Sequence, residues 1–224
     1  MRQSYKNKKL DSGFYNRDAQ EVAKDLLGKV IFHKYKNIWL SAQIIETEAY
    51  YLNEKGSHAS LGYTEKRKAL FMPPGTIYMY YARGKDSFNI STKGEGNAVL
   101  VKSGYPYKDA ENYNEMINIM QELNSFKIKL KPIEKLCSGQ TLLCTSLNIK
   151  VGDWDKKQFE KDKLYIAFTG YKPEKIIQTT RLGIPKGRDP HFMYRFIDFN
   201  YLKFCTKNIN KSSRIKILKY SYGI

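Results

Sequence analysis

The sequence contains few of the residues that most often bind metals or form cross-links. Only three histidines occur in 224 residues, and neither an H-E-x-x-H motif nor the H-x-E and P-C-x-x-C signature of zinc deaminases is present. The three cysteines cannot all pair, and none is spaced C-x-x-C. We therefore expect no metal centre and a reducing, intracellular setting. The three histidines are His33, His58 and His191, and the three cysteines are Cys137, Cys144 and Cys205.

Long apolar segments are absent as well. No apolar run approaches the roughly 20 residues needed to cross a bilayer. The first ten residues, MRQSYKNKKL, lack the apolar segment of a signal peptide. These absences predict a soluble, cytoplasmic protein without a membrane partner. The chain is nevertheless long enough to bury a sizeable core of its own.

Acidic residues are scarce relative to basic ones. Lys and Arg total 39 against 22 Asp and Glu, which gives a net charge of +17 and a positive field that attracts polyanions. Aromatic residues make up 14% of the chain, with 18 tyrosines, and such rings stack on nucleic-acid bases. Composition therefore favours a nucleic-acid partner, while a solubility or genome-composition effect is the alternative.

The stretch Glu46-Thr47-Glu48-Ala49-Tyr50 is the group of candidate functional residues around which the chain is organised. It follows an apolar run, residues 39–45, that is typical of a strand. Alternate side chains of a strand share a face, so Glu46, Glu48 and Tyr50 are predicted to project together. This pattern fits a carboxylate beside an aromatic platform, and it fits equally the solvated face of an ordinary strand.

Carboxylate chemistry is the reaction class for which the sequence offers a candidate. A G-x-S-x-G nucleophile elbow does not occur, although a spatial triad has no required sequence pattern. A glutamate has an unperturbed pKa of roughly 4.3, so Glu48 would be an ionised base at neutral pH.

The periodicity predicts one α+β domain without internal repeats or linkers. Asp18 and Glu21 are placed like a capping box for a helix over residues 19–27, which ends at Gly28. Residues 51–69 are predicted to form a long loop. The other predicted helices cover residues 106–126 and 140–147. The predicted strands cover residues 30–34, 39–50, 76–82, 87–91, 97–102, 164–169, 175–183 and 192–199.

A series of motifs, taken in order, closely resembles the alkyladenine DNA glycosylase family, also called 3-methyladenine DNA glycosylases. The resemblance covers roughly residues 14–198, and so many matching parts in one order make it highly specific. The matching parts are residues 14–29, I-E-T-E-A-Y at 45–50, His58, F-M-P-P-G-T-I-Y-M-Y at 71–80, N-I-S at 89–91, G-E-G-N-A-V-L at 94–100 and L-C-S-G at 136–139.

The resemblance implies a monofunctional enzyme that flips a damaged purine out of duplex DNA and hydrolyses its N-glycosidic bond without a cofactor. Glu48 would then activate the attacking water, and Asn89 would screen purines. Tyr50, His58 and Tyr80 would stack on the flipped base. The implied fold is a single compact α+β domain with a largely antiparallel curved sheet, peripheral helices and a protruding DNA-facing β-hairpin.

Two positions depart from the family pattern. Arg83 stands where the best-known members insert a tyrosine into the duplex, so Arg83 would either fill that gap or hold a phosphate, with Tyr81 or another residue as the wedge. Lys102 replaces a family arginine that helps to orient the water and the nucleotide, and it keeps the charge without the planar fork.

Further basic residues are expected to contact DNA phosphates, namely Lys66, Arg67, Lys68, Arg181 and Arg195. Residues 1–13 are predicted to form a basic arm, residues 14–202 the glycosylase-like domain and residues 203–224 a basic tail. We expect a monomer that binds damaged double-stranded DNA, associated with the nucleoid if the source is bacterial. A basic nucleic-acid-binding protein without catalysis is the alternative, and a nucleoside hydrolase is a more distant one.

Overall fold

A 13-residue strand that carries the Glu46–Tyr50 motif runs through the centre of the fold. The structure, a computed structural model, describes residues 7–125, 130–206 and 214–219. The described strands are β1 (Lys8–Lys9), β2 (Val30–Tyr35), β3 (Ile38–Tyr50), β4 (Ile77–Ala82), β5 (Lys85–Ser91), β6 (Ala98–Pro106), β7 (Leu164–Phe168), β8 (Lys175–Thr179), β9 (Arg195–Asp198) and β10 (Ile215–Lys219). The described α-helices are α1 (Ser12–Tyr15), α2 (Ala19–Leu26), α3 (Tyr113–Leu123), α4 (Gln140–Leu147) and α5 (Val151–Trp154).

All strand pairs of the described sheet are antiparallel, and their order is β1-β7-β2-β3-β6-β5-β4. The first half of β3 pairs with β2, and its second half pairs with β9 through Glu46, Thr47 and Glu48. Strand β6 pairs with residues 42–50 of β3, so β2 and β9 share the opposite edge of β3. The sheet therefore divides along β3, and β9 continues to β8 and β10.

Helix α2 confirms the helix predicted from the capping pattern. The Asp18 carboxylate accepts hydrogen bonds from the backbone N–H groups of Gln20 and Glu21, as an N-cap should. Ala19, Val22, Ala23 and Leu26 are fully buried in the main core, together with the inner faces of β2 and β3. The helix is tied to the central strand because Thr47 Oγ1 donates to Ala23 O at 2.7 Å.

Several predicted boundaries were wrong. Strand β6 continues to Pro106, so the helix expected from residue 106 begins only at Tyr113. Strands β8 and β9 are shorter than predicted because residues 180–194 leave the sheet. The predicted loop contains two short 3₁₀ turns, Ala59–Leu61 and Lys68–Phe71.

Parts of the predicted arm and tail belong to the sheet. Strand β1 pairs with β7, and β10 pairs with β8 over five residue pairs. Of the basic tail residues, Lys207 and Lys211 lie outside the described residues. Cys137, Cys144 and Cys205 are buried and free. In the ranges that the structure describes, no helix is both long and apolar enough to cross a membrane.

Candidate active site

A cleft of about 810 Å³ is lined by residues of β3, β4, β5 and β6, by the loops that follow β3 and β8, and by residues 138–142. Its lining brings together six residues predicted from the sequence: Tyr50, His58, Tyr80, Arg83, Asn89 and Lys102. Glu48 is fully buried beneath this lining. The sequence therefore predicted a group of residues that the fold does assemble, although they come from five separate segments.

The Glu48 carboxylate is held by three groups, all of which belong to residues that line the cleft. The Tyr50 hydroxyl donates to Oε2 at 2.7 Å, and Lys102 Nζ lies 3.5 Å from the same oxygen. The backbone N–H of Leu182 donates to Oε1 at 3.3 Å. Both carboxylate oxygens are therefore supported from the cleft side.

The surroundings of Glu48 favour its ionised form. Burial pushes the pKa of this carboxyl upward, but the Lys102 charge opposes it most strongly. The Tyr50 hydrogen bond, the Arg195 charge and the Leu182 N–H act in the same direction as Lys102, and the resulting pKa lies below its usual value. A buried carboxylate that stays ionised is the arrangement that a general base needs.

The pairing of β3 and β6 is irregular close to Glu48. The register shifts on both sides of Glu46, so Ile45 and Lys102 have no opposite partner in the ladder. A bulge of this kind bends a strand and turns a side chain out of the regular alternation. Lys102 lies beside Glu48 with only 12% of its side chain exposed.

Glu46, the other acid of the motif, is bound in a different network. Arg195 Nε donates to its Oε1 at 2.7 Å, while Ser103 Oγ and the backbone N–H of Thr206 donate to its Oε2 at 2.6 and 2.8 Å. Glu46 and Arg195 are at most 1% exposed. Glu46 thus joins β3, β6, β9 and the segment after Phe204.

Three aromatic side chains form one wall of the cleft. The rings of His58 and Tyr80 have centroids 4.4 Å apart, and Tyr78 and Tyr80 stack at 5.6 Å. His58 Nδ1 lies 3.0 Å from the Tyr78 hydroxyl. Burial, with the Arg67 and Arg188 charges, lowers the pKa of His58, so the imidazole is neutral near pH 7. Tyr78 contacts both predicted stacking residues.

Asn89 lies on β5, next to this wall. Its side-chain Nδ2 donates to Tyr78 O at 3.0 Å, and the residue is 5% exposed. The hydrogen bond fixes the amide at the floor of the cleft, where a side chain that screens bases is expected.

The hairpin of β4 and β5 carries Arg83 at its tip. Arg83 and Gly84 both have positive φ, of 52° and 77°, which is the pattern of a type I′ turn. Arg83 is exposed and lines the mouth of the cleft. Tyr81, the alternative wedge, is 63% exposed on the same hairpin.

The cluster of basic residues at 66–68 is at the surface. Lys66 and Lys68 are exposed, and Lys68 lies 3.8 Å from Glu65. Arg67 donates to the carbonyl oxygens of Gly62 and Leu61, at 2.8 and 3.1 Å, and is partly covered. These side chains remain candidates for phosphate contacts.

The predicted phosphate contacts of Arg181 and Arg195 are inconsistent with their positions. Both side chains are 1% exposed, and each guanidinium is occupied by a buried carboxylate, Glu54 for Arg181 and Glu46 for Arg195. A phosphate cannot reach a group that is covered and already paired. The Arg181–Glu54 pair was missed from the sequence because its members lie 127 residues apart without a shared motif.

Metal ligation has no support from the described side chains. Within the described ranges, no three His, Cys, Asp or Glu side chains are grouped closely enough to hold an ion.

Comparisons with known proteins identify the family of this chain. The family model described as methylpurine-DNA glycosylase matches residues 13–201. A protein of Pseudomonas syringae pv. tomato, provisionally named 3-methyladenine DNA glycosylase, is 55% identical over 214 residues, which are 95% of this chain and 96% of that protein. A Clostridium botulinum protein with the same provisional name is 35% identical over 199 residues, covering 84% of this chain and 94% of its own length.

Family match and relatives extend over nearly the whole chain, and they agree with the resemblance seen in the motifs. The chain therefore belongs to the methylpurine-DNA glycosylase family and is a DNA glycosylase, a hydrolase of DNA repair.

Proposed function

We propose that this enzyme excises alkylated purines from duplex DNA by direct attack of water, with Glu48 as the general base. The observation that carries the proposal is the buried Glu48 carboxylate, kept ionised by Lys102, Tyr50 and Leu182 directly beneath a cleft lined with aromatic rings. In the proposed step, Glu48 accepts a proton from water as the water oxygen bonds to C1′ of the sugar. The N-glycosidic bond breaks, and its electron pair leaves with the base.

The negative charge of Glu48 has a second role in this step. Positive charge builds on the sugar as the base departs, and an ionised carboxylate in a water-poor site stabilises it. Lys102 and the Tyr50 hydroxyl both bind Oε2, so they would orient the carboxylate. Lys102 Nζ lies 3.5 Å from Oε2, so its charge acts on the carboxylate without a short hydrogen bond.

Recognition of the base rests on the rings. Tyr50, His58 and Tyr80 line the cleft, and a flipped purine would stack against them. A neutral His58 beside Tyr80 adds no repulsive charge against a cationic base. An alkylated cationic purine gains about 0.5–2 kcal/mol from a ring face through the cation–π interaction. Electron-poor lesions would therefore be held better than normal purines.

The hairpin and the basic surface would hold the duplex. Arg83 stands at the mouth of the cleft, where its guanidinium plane would fill the gap left by the flipped nucleotide or bind a phosphate. Lys66 and Lys68 are exposed and would neutralise phosphates. Arg83 adopts positive φ, a conformation that costs a non-glycine residue energy, and backbone strain of this kind is often found at binding sites.

The experiment is base release from defined duplexes. Duplexes with one 3-methyladenine, hypoxanthine or ethenoadenine are incubated with the enzyme, abasic sites are cleaved with alkali, and strand breaks at the lesion are measured. We expect breaks at one or more alkylated purines and none in the undamaged duplex. Binding without breaks at any lesion would favour the non-catalytic alternative, and release from free nucleosides alone would favour a nucleoside hydrolase.

A further inference from the structure

A buried ion pair lies behind the ring of Tyr50, away from the cleft. The Arg181 guanidinium carbon is 4.4 Å from the Tyr50 ring centroid and 5.4 Å from that of Tyr194. Arg181 and the Glu54 carboxylate bind through two parallel contacts, of which Nη2 to Oε2 is 2.8 Å. Tyr50 lines the cleft, whereas neither Arg181 nor Glu54 is part of its lining.

The pair holds the backbone on both sides of Tyr50. Arg181 Nη1 donates to Ala49 O at 2.9 Å, just before Tyr50. Glu54 Oε1 accepts the backbone N–H of Tyr51 at 2.9 Å, just after it. The buried Arg181–Glu54 pair therefore contacts both the ring of Tyr50 and the backbone on either side of it.

The same unit joins two further walls of the cleft. Leu182, next to Arg181, donates its N–H to Glu48. Gly56, in the loop that carries His58, packs so closely that a Cβ there would lie 3.0 Å from Arg181 Nη2 and 3.1 Å from Arg188 O. Arg181 thus contacts the segments that carry the carboxylate, the ring of Tyr50 and His58.

We propose that Arg181 and Glu54 are positioning residues for Tyr50 and that their opposite charges set the charge preference of its stacking face. The inference rests on the proposed function, because it assumes that a base stacks on Tyr50. In this arrangement Glu54 cancels the Arg181 charge behind the ring, and the platform can accept a cationic alkylated base.

The distance between the Arg181 charge and a base stacked on Tyr50 explains the expected charge preference. A stacked base lies about 3.5–4 Å in front of the ring, so its charge would be about 8 Å from Arg181. Two like charges at that distance, with an effective dielectric constant of about 20, repel by enough to change a binding constant about tenfold or more. The adjacent Glu54 removes most of that repulsion, and a neutral base does not experience it.

The test compares a cationic lesion with a neutral one. Single-turnover release and its half-saturating enzyme concentration are measured at mildly acidic pH on duplexes with 7-methylguanine, which carries a positive charge there, and with hypoxanthine, which is neutral. For Glu54→Gln, we expect the release efficiency for 7-methylguanine relative to hypoxanthine to fall about tenfold. For Arg181→Gln, we expect this ratio to rise above the wild-type value.

If Glu54→Gln and Arg181→Gln shift the ratio of the two release efficiencies in opposite directions, the pair acts through its charges and not only through its structure. Glu46→Gln is the matched control because it also leaves a buried arginine, Arg195, without its carboxylate partner. We expect Glu46→Gln to slow the release of both bases to the same extent. Circular dichroism checks that each variant is folded, and if one variant fails to fold, the sign of the shift in the other still tests the proposal.

The outcomes separate this inference from the proposed function. If the wild-type enzyme releases no lesion, 3-methyladenine and ethenoadenine included, the proposed function is overturned and the inference with it. If it releases 3-methyladenine and ethenoadenine but neither 7-methylguanine nor hypoxanthine, the same ratio is measured on that cationic and neutral pair. If the wild-type enzyme is active and both variants change the two rates by equal factors, only the charge role of Arg181 and Glu54 is overturned.

Discussion

Glu46 and Glu48 stand two residues apart on β3, but their hydrogen-bond partners differ in kind. Glu46 is bound by Arg195, Ser103 and Thr206, which leaves it a structural link between strands. The partners of Glu48 all belong to residues that line the cleft. This difference supports Glu48 as the general base. Among the groups that lower the pKa of Glu48, the Lys102 charge has the largest effect.

Lys102→Met tests that control. Without the lysine charge, the upward effect of burial on the pKa of Glu48 loses its strongest opposition, so the pKa should rise. A base with a raised pKa becomes protonated at higher pH. We therefore expect the acid limb of the rate profile to move toward neutral pH and the rate to fall about 10- to 100-fold.

Lys102→Arg is the matched control for the Lys102→Met profile. It keeps the positive charge and should keep the acid limb near that of the wild type. An unchanged pH profile in Lys102→Met would contradict the role assigned to the lysine.

His33 makes stability depend on pH, independently of the cleft. Its Nδ1 lies 2.7 Å from Leu147 O, and Trp154 Nε1 donates to its Nε2 at 3.2 Å, so the buried ring is neutral. Burial lowers the pKa of His33, although the Leu147 carbonyl opposes this effect. The unfolded chain, with an ordinary histidine pKa of about 6.5, then takes up the proton first.

The free energy of unfolding should therefore decrease as pH falls below about 6.5 toward the lower folded pKa of His33. Urea unfolding followed by tryptophan fluorescence at several pH values measures this decrease. His33→Gln should show a smaller decrease over the same pH range. An equal decrease in wild type and variant would assign the effect to other groups, of which His58 is one because its pKa is also lowered.

Among the elements, the hairpin of β4 and β5 carries exposed side chains at and near its tip, Arg83 and Tyr81. A type I′ turn prefers asparagine before glycine, because asparagine tolerates positive φ better than other non-glycine residues. Arg83 stands at that position with φ of 52°. The turn therefore carries a residue that its own geometry does not favour.

Arg83→Asn should leave the fold as stable as the wild type or more stable by up to about 1 kcal/mol. Its affinity for lesion DNA should fall by about 1 kcal/mol, since the guanidinium is lost. Thermal unfolding and binding titrations measure the two effects. Arg83→Lys then separates the roles, because lysine keeps a phosphate contact but not a planar stack. Undiminished affinity in Arg83→Asn would contradict a DNA contact at the tip.

The elements that local patterns specify were predicted well, and those set by distant contacts were not. The Asp18 cap and its apolar stripe predicted α2, and the alternation in β3 predicted which side chains of the motif share a face. The register shifts that leave Ile45 and Lys102 without opposite partners depend on the pairing of β3 with β6, which no local pattern contains. The boundaries of β8 and β9 likewise depend on where residues 180–194 leave the sheet.

Most residues of the candidate site were predicted from the family resemblance. The errors in that prediction have a common cause. Charge alone placed Arg181 and Arg195 with the exposed Lys66 and Lys68, because burial of an arginine requires a carboxylate partner that lies far away in the chain. Glu54 offered no sign in the sequence that it would provide such a partner.

At the scale of the whole molecule, the net charge of +17 should govern binding to DNA. Each phosphate that a lysine neutralises releases counterions, so the affinity falls as salt rises, with a slope of about 0.9 per contact on logarithmic axes. Lys66→Ala with Lys68→Ala should reduce that slope by about 1.8. Lys163→Ala, which removes an exposed lysine that is paired with Glu160, is the control. An equal slope in the double variant and the wild type would exclude Lys66 and Lys68 from the DNA contact.

The most direct test of Glu48 as the general base is the single-turnover rate of base release by Glu48→Gln, measured beside its affinity for the same lesion duplex. Glutamine keeps the size of the side chain but cannot accept the proton of the attacking water. We predict that binding persists while release falls by about 10²–10⁴-fold, and that Glu160→Gln, a change at a partly exposed carboxylate, releases the base at the wild-type rate. Release at the wild-type rate by Glu48→Gln would contradict the account.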